Sequence, residues 1–273
     1  MNKWFKSLSL VALIALGGCQ SVSTTSSGAV GIQREQHMFS LLSEQQVNQM
    51  SADAYKQTLE QGSKEKKLHE NTASLKRLRR IADRLIPHVA VFRQDAKDWQ
   101  WEVNLLEDKQ LNAYCMPGGK IMFYTGIIEE LKLTDDEIAA IMGHEMAHAL
   151  REHGREGMSQ AYALELSKSA VQALLGVQAS TMELANTAVT YALTLPNSRT
   201  NEAEADLIGL ELMARAGYDP NASVSLWEKM SKAGGQKVPE FMSTHPAHDT
   251  RISGLQANVP KVKPLYKEAI KKK

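Results

Sequence analysis

Cysteine is nearly absent from this chain: Cys19 and Cys115 are the two in 273 residues. A disulfide-stapled scaffold is therefore excluded. Charge of one sign is not in excess either. Lys plus Arg number 32 and Asp plus Glu 31, a formal net charge of +1. Nucleic-acid binding needs a clustered surplus of Lys and Arg, so that partner class falls away. Aromatic residues are few, at 6%. The N-terminal apolar run, Leu8 to Leu16, has nine residues, against about 20 needed to span a bilayer. The rest, 43% hydrophobic and 23% charged, is ordinary for a globular chain of one or two domains.

The first residues read as an address. Lys3 and Lys6 precede the apolar run, and Gly17 and Gly18 follow it, the pattern of a signal peptide over 1–18. Leu16-Gly17-Gly18-Cys19 resembles the lipobox of bacterial lipoproteins, in which the cysteine is acylated. That resemblance implies lipidation of Cys19 and a membrane anchor. With Gln20 rather than Asp next, it implies the outer membrane of a Gram-negative bacterium, facing the periplasm. Residues 19–31 would then be a lipidated cysteine and a flexible tether, since Ser21 to Gly31 is rich in Ser, Thr and Gly and has no charge. Cys115 is left without a partner and reads as a small buried hydrophobe.

Helical signals follow. Ser43 with Gln46 and Thr134 with Glu137 are capping boxes. Apolar spacing predicts a helix over Ala73 to Leu85, ended or kinked by Pro87. Trp101, Val103 and Leu105 alternate with polar residues, a strand pattern. Two further short runs flank Pro117-Gly118-Gly119, as in a hairpin. The second capping box predicts a helix to about His153, with Gly154 as its stop. An Ala-rich stretch over 159–195 follows, whose role as a lid or a core pair stays open. Then come helices over Glu202 to Ala214, capped by Gly217, and Asn221 to Lys232. The expected fold is α+β and mostly helical, with a small sheet beside the helix from Thr134. The expected organisation is an N-terminal helical segment over 32–72, a catalytic domain over 73–259, and a solvated basic tail over 260–273.

The chemistry is concentrated in His144-Glu145-Met146-Ala147-His148. At 100° per residue His148 lies 40° from His144 and one turn on, so two imidazoles can grip one metal ion. Glu145 sits beside that face, able to act on a water without ligating. This is the H-E-x-x-H arrangement of zinc metalloproteases. A catalytic zinc wants a third protein ligand and an open position. Glu202 is the candidate, with Asp206, on the same helical face, orienting a ligand histidine. Glu204 is expected to point elsewhere, and Ala203 and Ala205 to allow close packing. The bland alternative is a solvated acidic helix start. His153 lies 180° from His144 on the wheel and is not taken as a ligand. His37, His69, His88 and His248 are expected at the surface, and Arg199 and Arg251 as structural ion-pair partners.

Together with Asn112-Ala113-Tyr114-Cys115-Met116-Pro117-Gly118-Gly119-Lys120, Ser198 to Asp206 and Ser243-Thr244-His245-Pro246, the motif resembles the HtpX/BepA-type gluzincin zinc metalloproteases, the family that includes the CAAX prenyl endopeptidases, and within it the lipoprotein members. The resemblance covers about 85–255. It implies one Zn2+ per chain held by His144, His148 and Glu202, with Glu145 as general base. It implies a catalytic role for Asp206, as proton donor or as an orienting group. His245 becomes a candidate to stabilise the reaction intermediate or to block the zinc; a capping histidine before Pro246 is the alternative. The strand around Asn112 and Ala113 would bind an extended substrate by main-chain pairing, unless it is an ordinary internal strand. The implied function is a metalloendopeptidase acting on misfolded or misassembled polypeptides. An assembly factor or chaperone-like protein with a silent zinc site is the alternative, and a zinc hydrolase of non-peptide substrates a weaker one. The oligomeric state is not legible.

Overall fold

The computed structural model describes residues 19–40, 42–174, 198–233, 240–246 and 249–272. The leader over 1–18, most of the Ala-rich stretch and His248 lie outside the described residues. Among these residues no helix is long and apolar enough to cross a membrane.

The expected α+β architecture is present. A hairpin of β4 (Ala113–Met116) and β5 (Lys120–Tyr124) turns at Gly118 and Gly119, whose φ of +80° and +82° a side chain would strain. β3 (Glu102–Leu106) runs parallel to β5, giving the order β3-β5-β4. Strict alternation fails in β3: Val103 to Leu106 are all buried. The cause is cover on both faces. Val103 and Leu105 join the main core with Leu75 and Leu78 of α2 (Ala73–Leu85). Leu106 packs with Tyr55 of α1 (Glu44–Lys64) on the other side. The Tyr55 hydroxyl donates to the Ile121 carbonyl and accepts from the Asn104 amide, so both buried polar groups are paired.

After α3 (Thr125–Glu130), the Thr134–Glu137 capping box opens α4 (Asp135–Leu150). This helix is buried almost all round, against β4, β5 and α6 (Arg199–Arg215). It does not run on to Gly154. Glu152 takes a left-handed φ of +53° and a new helix, α5 (His153–Leu174), starts at once, with Gly154 inside it. The molecule closes with α7 (Ala222–Ala233), the short α8 (Glu240–Thr244) and α9 (Asp249–Lys271). The expected basic tail is the outer part of α9, whose Val262 is fully buried.

The expected tether is also different. Cys19 opens a strand, β1 (Cys19–Val22), paired antiparallel with β2 (Gln36–Phe39). Between them the chain is strapped to the domain. Val30 and Ile32 enter the main core. The Ser26 amide donates to the Phe92 carbonyl, and the Val30 amide to Glu211. Composition suggested a coil because the segment has few apolar residues; those it has are placed on apolar ground, and its polar groups find partners.

Candidate metal centre and its cleft

The site forms where α4 crosses α6. Gly143 and Gly209 meet at the crossing: a Cβ on Gly209 would stand 2.7 Å from the His144 nitrogen. That close approach is made by two glycines and not by Ala203, which is exposed. It brings the first turn of α6, capped by the Ser198 side chain on the Asn201 amide, over the His144 turn of α4.

Four donors converge there. His144, His148, Glu202 and His245 each offer an atom within 4.8 Å of the others, and all four side chains are buried. His144 Nε2 lies 3.0 Å from His148 Nε2 and 3.3 Å from His245 Nδ1. Glu202 places Oε2 3.4 Å from His144 Nε2, and Oε1 3.4 Å from His148 Nε2 and 3.0 Å from His245 Nδ1. Donors at about 2.1 Å from a tetrahedral zinc are separated by roughly 3.4 Å, so the set fits a zinc-sized ion. Two imidazole nitrogens facing each other at 3.0 Å can share at most one proton without a cation between them. His245 stands at the fourth corner, stacked on Phe241 at 4.5 Å.

Glu145 sits beside this set. Its Oε1 is buried without a hydrogen-bond partner, 3.4 Å from His245 Nε2. Burial pushes its carboxyl up, against the pull of His245 and His144 and the Cys115 amide that donates to it. Burial also pushes the Cys115 thiol up.

Behind the donors lie two supports. His144 Nδ1 faces Asp206 Oδ1 at 3.0 Å. Burial alone would lower the His144 pKa; Asp206 and Glu202 beside it raise it to about 9. Arg251 holds both Asp206 oxygens, at 2.5 and 2.8 Å, places Nη1 2.6 Å from Glu202, and lies over the Trp227 ring at 3.7 Å. On the other side His148 Nδ1 meets His153 Nδ1 at 2.9 Å, and His153 Nε2 meets Glu204 at 3.1 Å. Burial pushes both His148 and His153 down.

The centre opens into a cleft of about 910 Å3. Its lining includes Asn112 to Pro117, in and beside β4, and Ser198, Thr200 and Asn201. β4 pairs with β5 alone among the described strands. Thus the structure brings His144, Glu145, His148, Glu202, Asp206 and His245 together, with Asn112 and Ala113 lining the cleft. Cys19 lies in β1. Glu204 points away from the donor set, as expected, and is buried under His153, Arg151 and Arg34. His153 was missed because the wheel assumed one continuous helix. Arg34 carried no signal in the sequence.

The model of peptidase family M48 matches residues 73–259. The chain belongs to peptidase family M48. It is 41% identical over 160 residues to the mitochondrial metalloendopeptidase OMA1 of Arabidopsis thaliana, covering 58% of this chain and 32% of that protein. To the Schizosaccharomyces pombe protein of the same name it is 37% identical over 165 residues, 60% of this chain and 48% of the relative. The beta-barrel assembly-enhancing protease of Yersinia pestis is 27% identical over 171 residues, 59% and 35% of the two chains. The M48 chain thus spans about a third to a half of these relatives' lengths. The expected outer-membrane location is corrected by them: the relatives with the higher identities carry mitochondrial names, and the bacterial one is more distant. That expectation rested on Leu16-Gly17-Gly18-Cys19 and Gln20, a resemblance of five residues.

Proposed function

We propose that this M48 protein is a zinc-dependent metalloendopeptidase that cleaves extended polypeptide segments. The observation that carries the reading is the convergence of His144, His148 and Glu202 beside the unpartnered buried Oε1 of Glu145. Those three residues would hold the ion. A bound zinc supplies Lewis acidity toward a peptide carbonyl. Glu145 takes the proton of the attacking water at Oε1 and passes it to the leaving amine. His245 would leave its corner to donate to the developing oxyanion. Asp206 orients His144 through Nδ1. At Asn112 and Ala113 substrate main chain would replace the Asn112 side chain on the Ala113 amide, a pairing that gives affinity with little sequence preference and suits unfolded segments as substrates. Lipid on Cys19 is a separate part of this reading, supported by Leu16-Gly17-Gly18 before it; equal fatty-acid labelling of Cys19→Ser and the natural protein would refute it.

One observation favours a second reading. His245 makes a fourth donor, and four protein ligands are the mark of a closed structural site. An assembly factor with a silent centre would look like this. Metal analysis with casein cleavage separates them. About one zinc per chain is expected, with cleavage abolished by chelation. Glu145→Gln should retain the metal and lose cleavage by roughly a hundredfold or more. A protein without transition metal, or cleavage indifferent to Glu145→Gln, refutes the enzyme.

A further inference from the structure

The N-terminal strap lies outside the 73–259 segment that matches the family, yet it reaches the metal centre. Arg34 donates from Nε to Glu204 Oε1 at 2.7 Å and from Nη2 to Glu204 Oε2 at 3.1 Å. Its Nη1 and Nη2 also grip both oxygens of Glu156, at 2.9 and 3.1 Å, and Nη2 meets Asn201 Oδ1 at 3.0 Å. Arg151, fully buried, donates to Glu204 Oε2 at 3.0 Å and returns to the strap through Thr25 and the Arg34 carbonyl. Glu204 is therefore clamped between two guanidinium groups, one from the strap and one from the end of α4.

The clamp fixes proton positions along a chain of rings. When His148 gives Nε2 to an ion, its neutral ring carries the proton on Nδ1. That proton can go only to His153 Nδ1, 2.9 Å away. His153 then carries its own proton on Nε2, which donates to Glu204. Each tautomer is set by the next partner, and the last partner is a carboxylate held in place by Arg34. His144 has a comparable support in Asp206 and Arg251. The difference is origin: the His144 support comes from within the matched segment, the His148 support ends on the strap.

We propose that Arg34 is a positioning residue of the metal centre, acting through Glu204 and His153 to hold His148 in its Nδ1–H tautomer and orientation. The strap is then part of the centre and not packing alone. This rests on the reading of His148 as a zinc ligand.

The test is zinc affinity by chelator competition, with long-range proton–nitrogen spectra of the metal-free protein to report the His148 tautomer. The natural protein, Arg34→Gln, His153→Phe, the double variant and Val30→Ala are compared. Val30→Ala unseats the strap's apolar anchor without touching the relay. Arg34→Gln is expected to lose about ten- to a hundredfold in zinc affinity and to show mixed His148 tautomers. The double variant should bind no more weakly than His153→Phe, because both act on one relay. Val30→Ala should melt earlier yet bind zinc within about twofold of the natural protein. Affinity unchanged in Arg34→Gln, losses that multiply in the double variant, or an equal loss in Val30→Ala would overturn the proposal. Should Arg34→Gln not fold, Arg34→Lys keeps a charge at the clamp and loses the fork; a single His148 tautomer and full affinity there overturn it too. If the natural protein binds no zinc, the failure lies with the metal-centre reading itself.

Discussion

Glu204 shows how much one side chain's role depends on what else reaches it. Its place in the sequence, two residues past Glu202, puts it off the face that carries Glu202 and Asp206, and the wheel says nothing of what it meets there. The structure sends His153, Arg151 and Arg34 to it. Burial would raise its carboxyl; His153 and the two arginines outweigh that and hold it at about 2. A carboxylate whose pKa falls on folding contributes stability that is present above its unfolded value, near 4.5, and is lost as pH drops toward about 2. In metal-free protein, Glu204→Gln should therefore be less stable by about 3 kcal/mol at pH 6. The gap between the two proteins should narrow steadily below pH 4.5. Urea unfolding at a series of pH values measures it, and a gap independent of pH would show that the ion pairs add nothing.

At the scale of elements, the crossing of α4 and α6 decides whether a centre exists at all. Gly143 and Gly209 let the helix axes approach until Glu202 reaches the two histidines. In Gly209→Ala, the added methyl meets the His144 nitrogen at 2.7 Å and the Gly143 carbonyl carbon at 2.9 Å. Both are backbone atoms, so α4 as a whole must move. Alanine gains about 1 kcal/mol of helix propensity, but overpacking typically costs 1–3 kcal/mol and should win. A lower melting temperature together with weaker zinc binding is expected; a melting temperature that rises would mean the helices separate freely. The same scale explains what was legible. His144, Glu145 and His148 lie on one uninterrupted helix, so spacing alone placed them. Glu202 and Asp206 share a face one turn apart and were found the same way. His153 lies past Glu152, whose left-handed φ starts a new axis, and no wheel drawn on α4 can carry across that break. Of the two small residues beside Glu202, Ala205 packs in the core as expected and Ala203 faces out, while the closest approach of the axes lies two turns past Glu202, at Gly209.

For the molecule as a whole, the strap over 19–40 divides into two parts with separate consequences. Its first part, residues 19–31, anchors: Val30 is in the core, Thr25 accepts from Arg151, and Ser26 is tied to Phe92. Its second part carries Arg34 and the β2 strand. A serine-rich segment of low charge looks like coil by composition, since composition counts residues and cannot see where a few apolar ones land. Burying a Val or Ile side chain contributes roughly 1.5–3 kcal/mol, and about 1 kcal/mol moves the melting temperature of a domain this size by some 2–4 °C. Removing residues 19–31 should then lower the melting temperature by about 5 °C or more while zinc affinity holds, because Arg34 keeps its grip on Glu204 and Glu156. Removing residues 19–40 should lower both. Calorimetry and chelator competition on the two shortened chains distinguish the parts. A free tether would leave the first chain's melting point where it was, and packing without positioning would leave the second chain's zinc affinity intact.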